Sequence, residues 1–547
     1  MKFKVGDRVY GCNIDSKKMP SHVIVEQDFL FHLSPNFSFC EGATICAEYL
    51  TAIICLIQTA QIKSDDVVLI HNASEGVGLS AIEICRDVGC KIIATASCTR
   101  QQNYLRLKGI HHVFSLKDTE FATNIMNATN GKGVDVVLNF LNGEYLKNAS
   151  LKICVKGASF VEISNIHLWK PEQVQQQGTD VKYFEVDLDN IFAKCDVKNK
   201  GLFDSLKALI SRKVVKPNPY TRFDAINLEE ALNYLEKGEY IGNVVCVMPE
   251  WKFENGNVKV HTPLFNDCIT YLITGGLGSL GFTFCKWMLE EGAKYIVLAS
   301  RNPPNQQQRK EINELNLDGK HVVAVKLDVG NLSQCKALVQ TQIEEMGFPP
   351  LRGVMHTALA LENGPITNQN WERWGPSLDS KIYGPLNLHE ATKTLNLEHF
   401  VVFSSIASQF GIPFCCNYVA GNYFSDSLAH FRHSLGLPGT TVNWSQWGEV
   451  GVSCHMDVPG FKVLSTLQAL NGFDNMLRTN QVQLAVANFE SFPLFNICFP
   501  LTRSYVDEKE WNASGGTDDI GTKSDVIFEQ LKKSLIANNK KDRYVED

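Results

Sequence analysis

Four residues in the second half of this chain have the types and spacing to move a proton: Lys381, Ser405, Tyr418 and Asn422. A phenol donates a proton well when a nearby ammonium lowers its pKa and a hydroxyl holds a carbonyl against it. They follow a glycine-rich loop, Thr274-Gly-Gly-Leu-Gly-Ser-Leu-Gly281. Such a loop can hold a dinucleotide beside them. Together they read as a device for adding hydride and proton to a ketone.

The elements that must position these residues repeat one pattern twice. The first copy is Val67-Val-Leu-Ile-His71, a glycine turn through Gly78, a helix to about Val88, and Lys91-Ile-Ile-Ala-Thr95. The second is Tyr271-Leu-Ile-Thr274, the loop to Gly281, a helix to about Glu291, and Tyr295-Ile-Val-Leu-Ala299. Strand, glycine turn, helix, strand opens a doubly wound parallel sheet. The expected fold class is therefore α/β, with two doubly wound Rossmann-type domains in tandem.

Gly276-Leu277-Gly278-Ser279-Leu280-Gly281 fits G-x-G-x-x-G after a strand and before a helix, the context that gives the motif meaning. Its glycines allow a tight turn, and the helix start turns free N–H groups toward phosphate. Where an NAD binder carries an acid after the second strand, this chain has Ser300-Arg301. A guanidinium there pairs with a 2′-phosphate, so NADPH is expected over NADH. In the first copy, Gly76-Val77-Gly78-Leu-Ser-Ala81 satisfies G-x-G-x-x-A.

The chain has 547 residues, enough for roughly two to four domains. Hydrophobic content is 44% and charged content 20%, both in the globular range. A net charge of −7 gives no basic footprint for nucleic acid. The 17 cysteines form no CxxC pair or metal spacing and are expected to stay reduced in the cytoplasm. His430 and His433 read as a helix surface rather than metal ligands, so no metal is expected. Met1 to Arg8 lacks the apolar core of a signal peptide. The apolar stretch Tyr49 to Ala60 is too short to span a bilayer and reads as a buried helix.

Pro249 to Asp267 is polar and aperiodic, which makes 249–267 a linker between domains 1–248 and 268–504. Residues 505–523 turn polar and read as a second linker. Within the last stretch, 524–547, Asp525 to Ile536 is helical in period.

From about Cys268 to Ser504 the chain resembles the ketoreductase domain of polyketide synthases and animal-type fatty acid synthases, a branch of the short-chain reductases. The resemblance is carried by Thr274 to Gly281, Leu378-Asp-Ser-Lys-Ile-Tyr-Gly384, Val401-Val-Phe-Ser-Ser405, Asn417-Tyr-Val-Ala-Gly-Asn422 and Val442-Asn-Trp-Ser-Gln-Trp-Gly448. In that branch an asparagine stands four residues after the tyrosine and the lysine comes from an earlier helix, as with Asn422 and Lys381. Ser405 lies 13 residues before Tyr418, and Lys381 lies 24 before Ser405. The resemblance implies NADPH-dependent reduction of a β-ketoacyl thioester. Tyr418 would protonate the alkoxide, Lys381 relay a proton, Ser405 bind the carbonyl oxygen and Asn422 order the lysine or a water. It also places Asp328 at the adenine edge. Leu361-Glu362-Asn363, Pro413, Asn417 and Phe410 lean to the family's Leu-Asp-Asp stereochemical type.

Residues 1 to about 248 resemble the enoyl reductase domain of the same synthases, a medium-chain reductase. Gly6-Asp-Arg-Val-Tyr-Gly11, Glu48-Tyr-Leu-Thr-Ala52, Val68-Leu-Ile-His71, Gly131-Lys-Gly-Val-Asp-Val-Val-Leu-Asn139 and Tyr240-Ile-Gly-Asn-Val-Val245 carry it. The functional positions are eroded. Glu75 breaks the glycine pair close to the expected pyrophosphate, where like charge costs affinity. Gln101-Gln102 replaces a basic pair, with Arg100 as partial compensation. Asn165 stands for a lysine proton donor, while its acidic companion has a counterpart in Asp189.

The helix from Ser524 resembles the start of an acyl carrier domain. The Asp-Ser-Leu tripeptides at Asp204 and Asp426 lie inside expected reductase helices, so neither is an attachment site. The chain thus reads as a fragment of a reducing polyketide or fatty acid synthase whose partner would be an acyl thioester on a carrier domain. The resemblance implies pairing of two copies as in those synthases, through regions only partly present here, while charge and apolar length give no expectation of a nucleic-acid or membrane partner. Two other readings stay open: a free-standing NADPH reductase of small ketones, and a non-catalytic synthase remnant.

Overall fold

The computed structural model describes residues 2–12, 22–141, 143–163, 169, 174, 180–186, 200–254, 257–412, 414–451, 461–479 and 481–489. Asp189, Asn165, Pro413, the 505–523 linker and the carrier-like stretch 524–547 lie outside them. The chain divides into two compact units. The first is Met1–Ile269 with Thr394–Glu398 and His433–Leu437, and the second takes up the rest from Thr270.

In the first unit the sheet runs His112–Ser115, Lys91–Ala96, Val67–Ile70, Val134–Asn139, Cys154–Glu162, Lys182–Glu185. Every neighbouring pair is parallel, and the chain order is 3-2-1-4-5-6. Such a sheet is covered on both faces, which is why its strands read as unbroken apolar runs such as Val67-Val-Leu-Ile70. The second unit repeats the plan with seven parallel strands. Their order is His321–Lys326, Tyr295–Ser300, Thr270–Thr274, Leu351–His356, His399–Ser405, Thr440–Trp444, Gln483–Val486. Both orders reverse between the first and fourth strands, the place where doubly wound sheets hold ligands. The tandem α/β class expected from sequence is the one observed.

Two expectations change. The stretch 249–267 is not wholly a linker: Glu250–Glu254 and Asn257–His261 pair as an antiparallel hairpin. The apolar helical run is also longer than expected, Phe39–Thr59, with 21 residues, and passes from α to π geometry at Ile53. By length and composition it could cross a membrane, yet its most apolar window is 78% buried. Tyr49, Leu50, Ile53 and Leu56 pack it into the first unit's core. Both Asp-Ser-Leu tripeptides do lie in helices, Lys200–Ser211 and Cys416–Ser434.

In the second unit an aromatic cluster fixes the site's supports. Phe284, on the helix Ser279–Glu290 that follows the glycine turn, meets Phe403 edge-on at 4.7 Å and Phe473 at 4.9 Å. Phe403 precedes Ser404 and Ser405 on the fifth strand. Each such pair contributes about 0.5–1.5 kcal/mol beyond area burial, so the strand carrying Ser405 is tied to the helix that opens the turn.

Candidate functional site

In the second unit the turn leaves the first strand at Thr274 and enters its helix at Ser279, with Gly278 as N-cap. Gly275 has φ +74, and a methyl group there would lie 2.7 Å from the Ala358 backbone, so only glycine fits without strain. Gly281 has the same need, because a Cβ would meet the Gly275 carbonyl oxygen at 2.5 Å. A Cβ added to Gly278, by contrast, would meet a single neighbour, the Gly275 oxygen at 3.1 Å, so this glycine is the least crowded of the three. That open glycine is what close approach of a pyrophosphate requires.

A cavity of about 260 Å³ lies over this turn. Of the sequence-predicted cofactor residues, Gly278, Ser279, Leu280, Gly281, Ser300, Arg301 and Asp328 line it. Thr274, Gly276 and Leu277 are not among its lining residues and brace the turn from behind. Gly276 lies under Leu298, Leu277 takes a hydrogen bond on its carbonyl from Gln308, and Thr274 is fully buried. Sequence reasoning missed Thr357, Ala358, Asp379 and Ser380, which close the cavity from the fourth strand's end and the lysine-bearing turn. Asp379 and Ser380 could have been found from their place beside Lys381. The open turn and the arginine at the strand end fit a nicotinamide dinucleotide.

Lys381 stands on a π-helical turn, Asp379–Tyr383, between the helices Trp371–Leu378 and Gly384–Thr392. Such one-turn bulges recur at functional sites because they re-aim a side chain within a helix. The lysine is 3% exposed, and its Nζ donates to the Phe403 carbonyl at 2.6 Å. Nζ also lies over the Tyr418 ring, 6.0 Å from the centroid. Gly421 makes this approach feasible, since a Cβ there would lie 2.7 Å from Lys381 Cβ. Burial pushes the Lys381 ammonium down to about 8, and the Asp426 carboxylate opposes that shift.

Tyr418 and Asn422 are i, i+4 on the helix Cys416–Ser434 and so share a face. Burial raises the Tyr418 phenol above its ordinary value, while the Ser405 hydroxyl and the Asn422 amide beside it pull it back down. The Asn422 amide nitrogen donates to the Tyr418 carbonyl at 2.8 Å, and Ser405 is 7% exposed. The structure therefore brings Lys381, Ser405, Tyr418 and Asn422 together.

A fifth residue was not singled out from sequence. His356 ends the fourth strand, fully buried, with Nδ1 2.7 Å from the Thr274 hydroxyl and Nε2 2.6 Å from the Ser380 carbonyl. A carbonyl only accepts, so Nε2 carries the proton and Nδ1 accepts from Thr274. Burial and the nearby Lys381 charge push the ring down to about 3, against the Ser380 carbonyl. A neutral imidazole thus links the start of the glycine turn to the turn bearing the lysine.

In the first unit, Gly76, Val77 and Gly78 line a pocket together with Glu48, Glu75, Tyr240 and Asn243. The helix Gly76–Val88 starts at Gly76, with Glu75 as N-cap. A Cβ on Gly78 would lie 2.6 Å from the Ala73 α-carbon. Gly78 therefore does the close packing that Gly281 does in the second unit. The expected register Gly76-x-Gly78-x-x-Ala81 is corrected to Ala73-x-Glu75-x-x-Gly78.

Comparison with known proteins agrees with this division. Residues 269–449 match the KR domain family, and residues 76–188 match the zinc-binding dehydrogenase family. The chain is 31% identical over 459 residues to squalestatin hexaketide synthase clz14 of Cochliobolus lunatus, covering 82% of this chain and 18% of that protein. It is 30% identical over 501 residues to phthioceranic/hydroxyphthioceranic acid synthase of Mycobacterium tuberculosis, covering 88% of this chain and 23% of that one. The chain spans under a quarter of the length of these relatives. Among solved structures, the CurK enoyl reductase is 35% identical, covering 41% of this chain and 67% of its own, with a TM-score of 0.39.

Proposed function

We propose, from the premise that this chain is an oxidoreductase of the ketoreductase type with an enoyl reductase-like unit before it, similar to segments of polyketide synthases, that its second unit reduces β-ketoacyl thioesters to β-hydroxyacyl thioesters. The cofactor proposed is NADPH and the donor of the acyl group an acyl carrier domain. The observation that carries the reading is the half-buried Tyr418 phenol between Ser405 and Asn422, with the buried Lys381 ammonium over its ring.

When bound, the cofactor supplies hydride to the ketone carbon. The chain's residues manage the oxygen. Ser405 donates a hydrogen bond to it, and Tyr418 gives it a proton, so that ketone, hydride and proton sum to the alcohol. Stabilising the charge on that oxygen lowers the barrier only where the donors are already in place. Here Ser405 is held by the Ala407 N–H, which donates to its Oγ at 3.1 Å. Lys381 favours the ionised phenol left behind and returns a proton to it. Arg301, at the end of the second strand and on the cavity wall, is the proposed partner of a 2′-phosphate.

The test is NADPH oxidation by the purified chain with a β-ketoacyl thioester mimic. Tyr418→Phe keeps the ring and removes the proton, and the rate should fall roughly 10²–10⁴-fold. A variant as fast as the parent would remove Tyr418 from the chemistry.

A further inference from the structure

The two glycine turns can be laid on each other residue by residue. The second strand pairs Thr274 with Ala299, and in the first unit His71 is the next residue after Ile70, which pairs with Ala94. The Ala73 N–H donates to the Thr95 carbonyl at 3.0 Å, as the Gly276 N–H does to Ala299 at 3.2 Å. Asn72 (φ 44) and Gly275 (φ 74) then share the left-handed backbone. Glu75 N–H donates to the Asn72 carbonyl at 3.0 Å, and Gly278 N–H to the Gly275 carbonyl at 2.9 Å. The N-cap dihedrals are −83/167 at Glu75 and −71/161 at Gly278. Glu75 therefore occupies the place of the open glycine against which a pyrophosphate lies.

The surroundings close what the backbone leaves. A Cβ added to Gly76 would lie 2.8 Å from Glu48 Cδ and 2.7 Å from Asn243 Oδ1, so these two side chains crowd the helix start, and the cavity of about 260 Å³ left there is walled by the Glu48 and Glu75 carboxyls. They hold each other, Asn243 Nδ2 donating to Glu48 Oε1 at 2.5 Å. Glu75 bridges to Gly242 in parallel, and the Gly242 N–H donates to the Ser74 carbonyl at 2.8 Å. The Tyr240 hydroxyl bonds the Glu75 carboxyl. Gln101, at the position of the expected basic pair, is 2% exposed and donates to the Gly238 and Tyr240 carbonyls at 2.9 Å each. It pins the segment that covers Glu75. The guanidinium of Arg100 donates to the Glu239 carbonyl at 3.1 Å, tied to that same segment.

We infer that Glu75 and Glu48, with Tyr240 and Asn243, shut the first unit's turn to dinucleotides, so that the chain takes a single nicotinamide cofactor, in its second unit. The location of that cofactor rests on the function proposed above; the closure of the first turn does not. Burial raises both carboxyls, for Glu48 with the Glu75 charge adding to it. Charged or protonated, their bulk stands over the turn.

The experiment is calorimetric titration of the full chain with NADPH. One equivalent is expected, and Gly278→Glu should abolish it. Two equivalents, or one that survives Gly278→Glu, would overturn the inference. No binding at all would sink the second unit's site and leave the first turn's closure standing. In the Gly278→Glu background, Glu75→Gly with Glu48→Ala should restore binding at least tenfold, whereas Glu75→Gln alone, which keeps the bulk, should not. If the combined variant does not fold, Glu75→Gly alone in that background should give a smaller gain. Absence of any gain in a folded variant would show that the carboxyls are not what closes the turn.

Discussion

The turns at Asn72–Gly78 and Gly275–Gly281 have the same backbone path and opposite contents. Both leave a parallel strand through a left-handed residue and both cap a helix with extended backbone. The second keeps a bare α-carbon at the helix start and an arginine at the cavity wall. The first puts carboxyls in the same place and turns its nearby cation to a backbone carbonyl. A Rossmann turn is thus retained by backbone and packing demands, while the capacity to hold phosphate depends on a few side chains around it.

Moving the first turn's residue into the second gives the largest expected effect. Gly278→Glu puts a Cβ 3.1 Å from the Gly275 oxygen, its one near neighbour, and keeps an ordinary extended backbone at φ −71, so the fold should bear it after a shift of a few tenths of an ångström. A carboxylate about 4 Å from a phosphate at an effective dielectric near 20 opposes binding by a few kcal/mol. NADPH affinity should drop by on the order of a hundredfold or more in a fluorescence titration, with the unfolding temperature little changed. Retained affinity would mean that the phosphate does not approach Gly278, and the parallel with Glu75 would fail.

The buried charges of the two units also differ, and Lys381 lets that be measured. Its ammonium is lowered from 10.5 to about 8 by burial. Below pH 8 it is charged both folded and unfolded, and the folded state bears the full cost, on the order of 3 kcal/mol. Between pH 8 and 10.5 the folded chain has released the proton while the unfolded chain keeps it, so stability rises with pH. Lys381→Met removes that dependence along with activity. Urea midpoints should favour the variant at pH 7 and converge toward the parent by pH 10.5. A gap independent of pH would contradict the burial assigned to this lysine.

Arg301 is the next smaller contrast. Removing a guanidinium from a 2′-phosphate costs about 2 kcal/mol, the range for hydrogen bonds to charged groups. Arg301→Ala should weaken NADPH roughly thirtyfold and leave NADH unaffected. Equal loss for both cofactors would place the arginine on a shared phosphate instead.

How much of this was legible in the sequence follows from where each signal lies. The two strand–turn–helix units were readable because strands buried on both faces are continuous apolar runs. Lys381, Ser405, Tyr418 and Asn422 were readable because their types and spacing, spread over a helical turn, a strand end and one helix, match the ketoreductase pattern. The register of the first turn was not: Gly76 and Gly78 look like the pair, while the left-handed position falls on an asparagine and the open position on a glutamate. Glu48 and Asn243 were hidden because tertiary packing alone brings positions 48 and 243 to residue 76. His356 reads as the end of a strand until Thr274 and Ser380 meet it. The hairpin in 249–267 carried a missed signal, since Trp251 and Phe253, then Val258 and Val260, alternate with polar residues around Asn255-Gly256.

The smallest contrast tests whether the shared backbone is real. Asparagine tolerates the left-handed region through its short polar side chain, whereas alanine does not. Asn72→Gly should therefore shift stability by only a few tenths of a kcal/mol. Gly275→Ala must take φ +74 and place a methyl 2.7 Å from the Ala358 α-carbon, on the wall of the cavity. Strain of that kind costs about 1–3 kcal/mol. The unfolding midpoint of Gly275→Ala should fall well below that of Asn72→Gly, with NADPH affinity falling too as Ala358 is pushed outward. Equal small shifts would mean that the two left-handed positions are not equivalent, and the residue-by-residue match that puts Glu75 opposite Gly278 would lose its anchor.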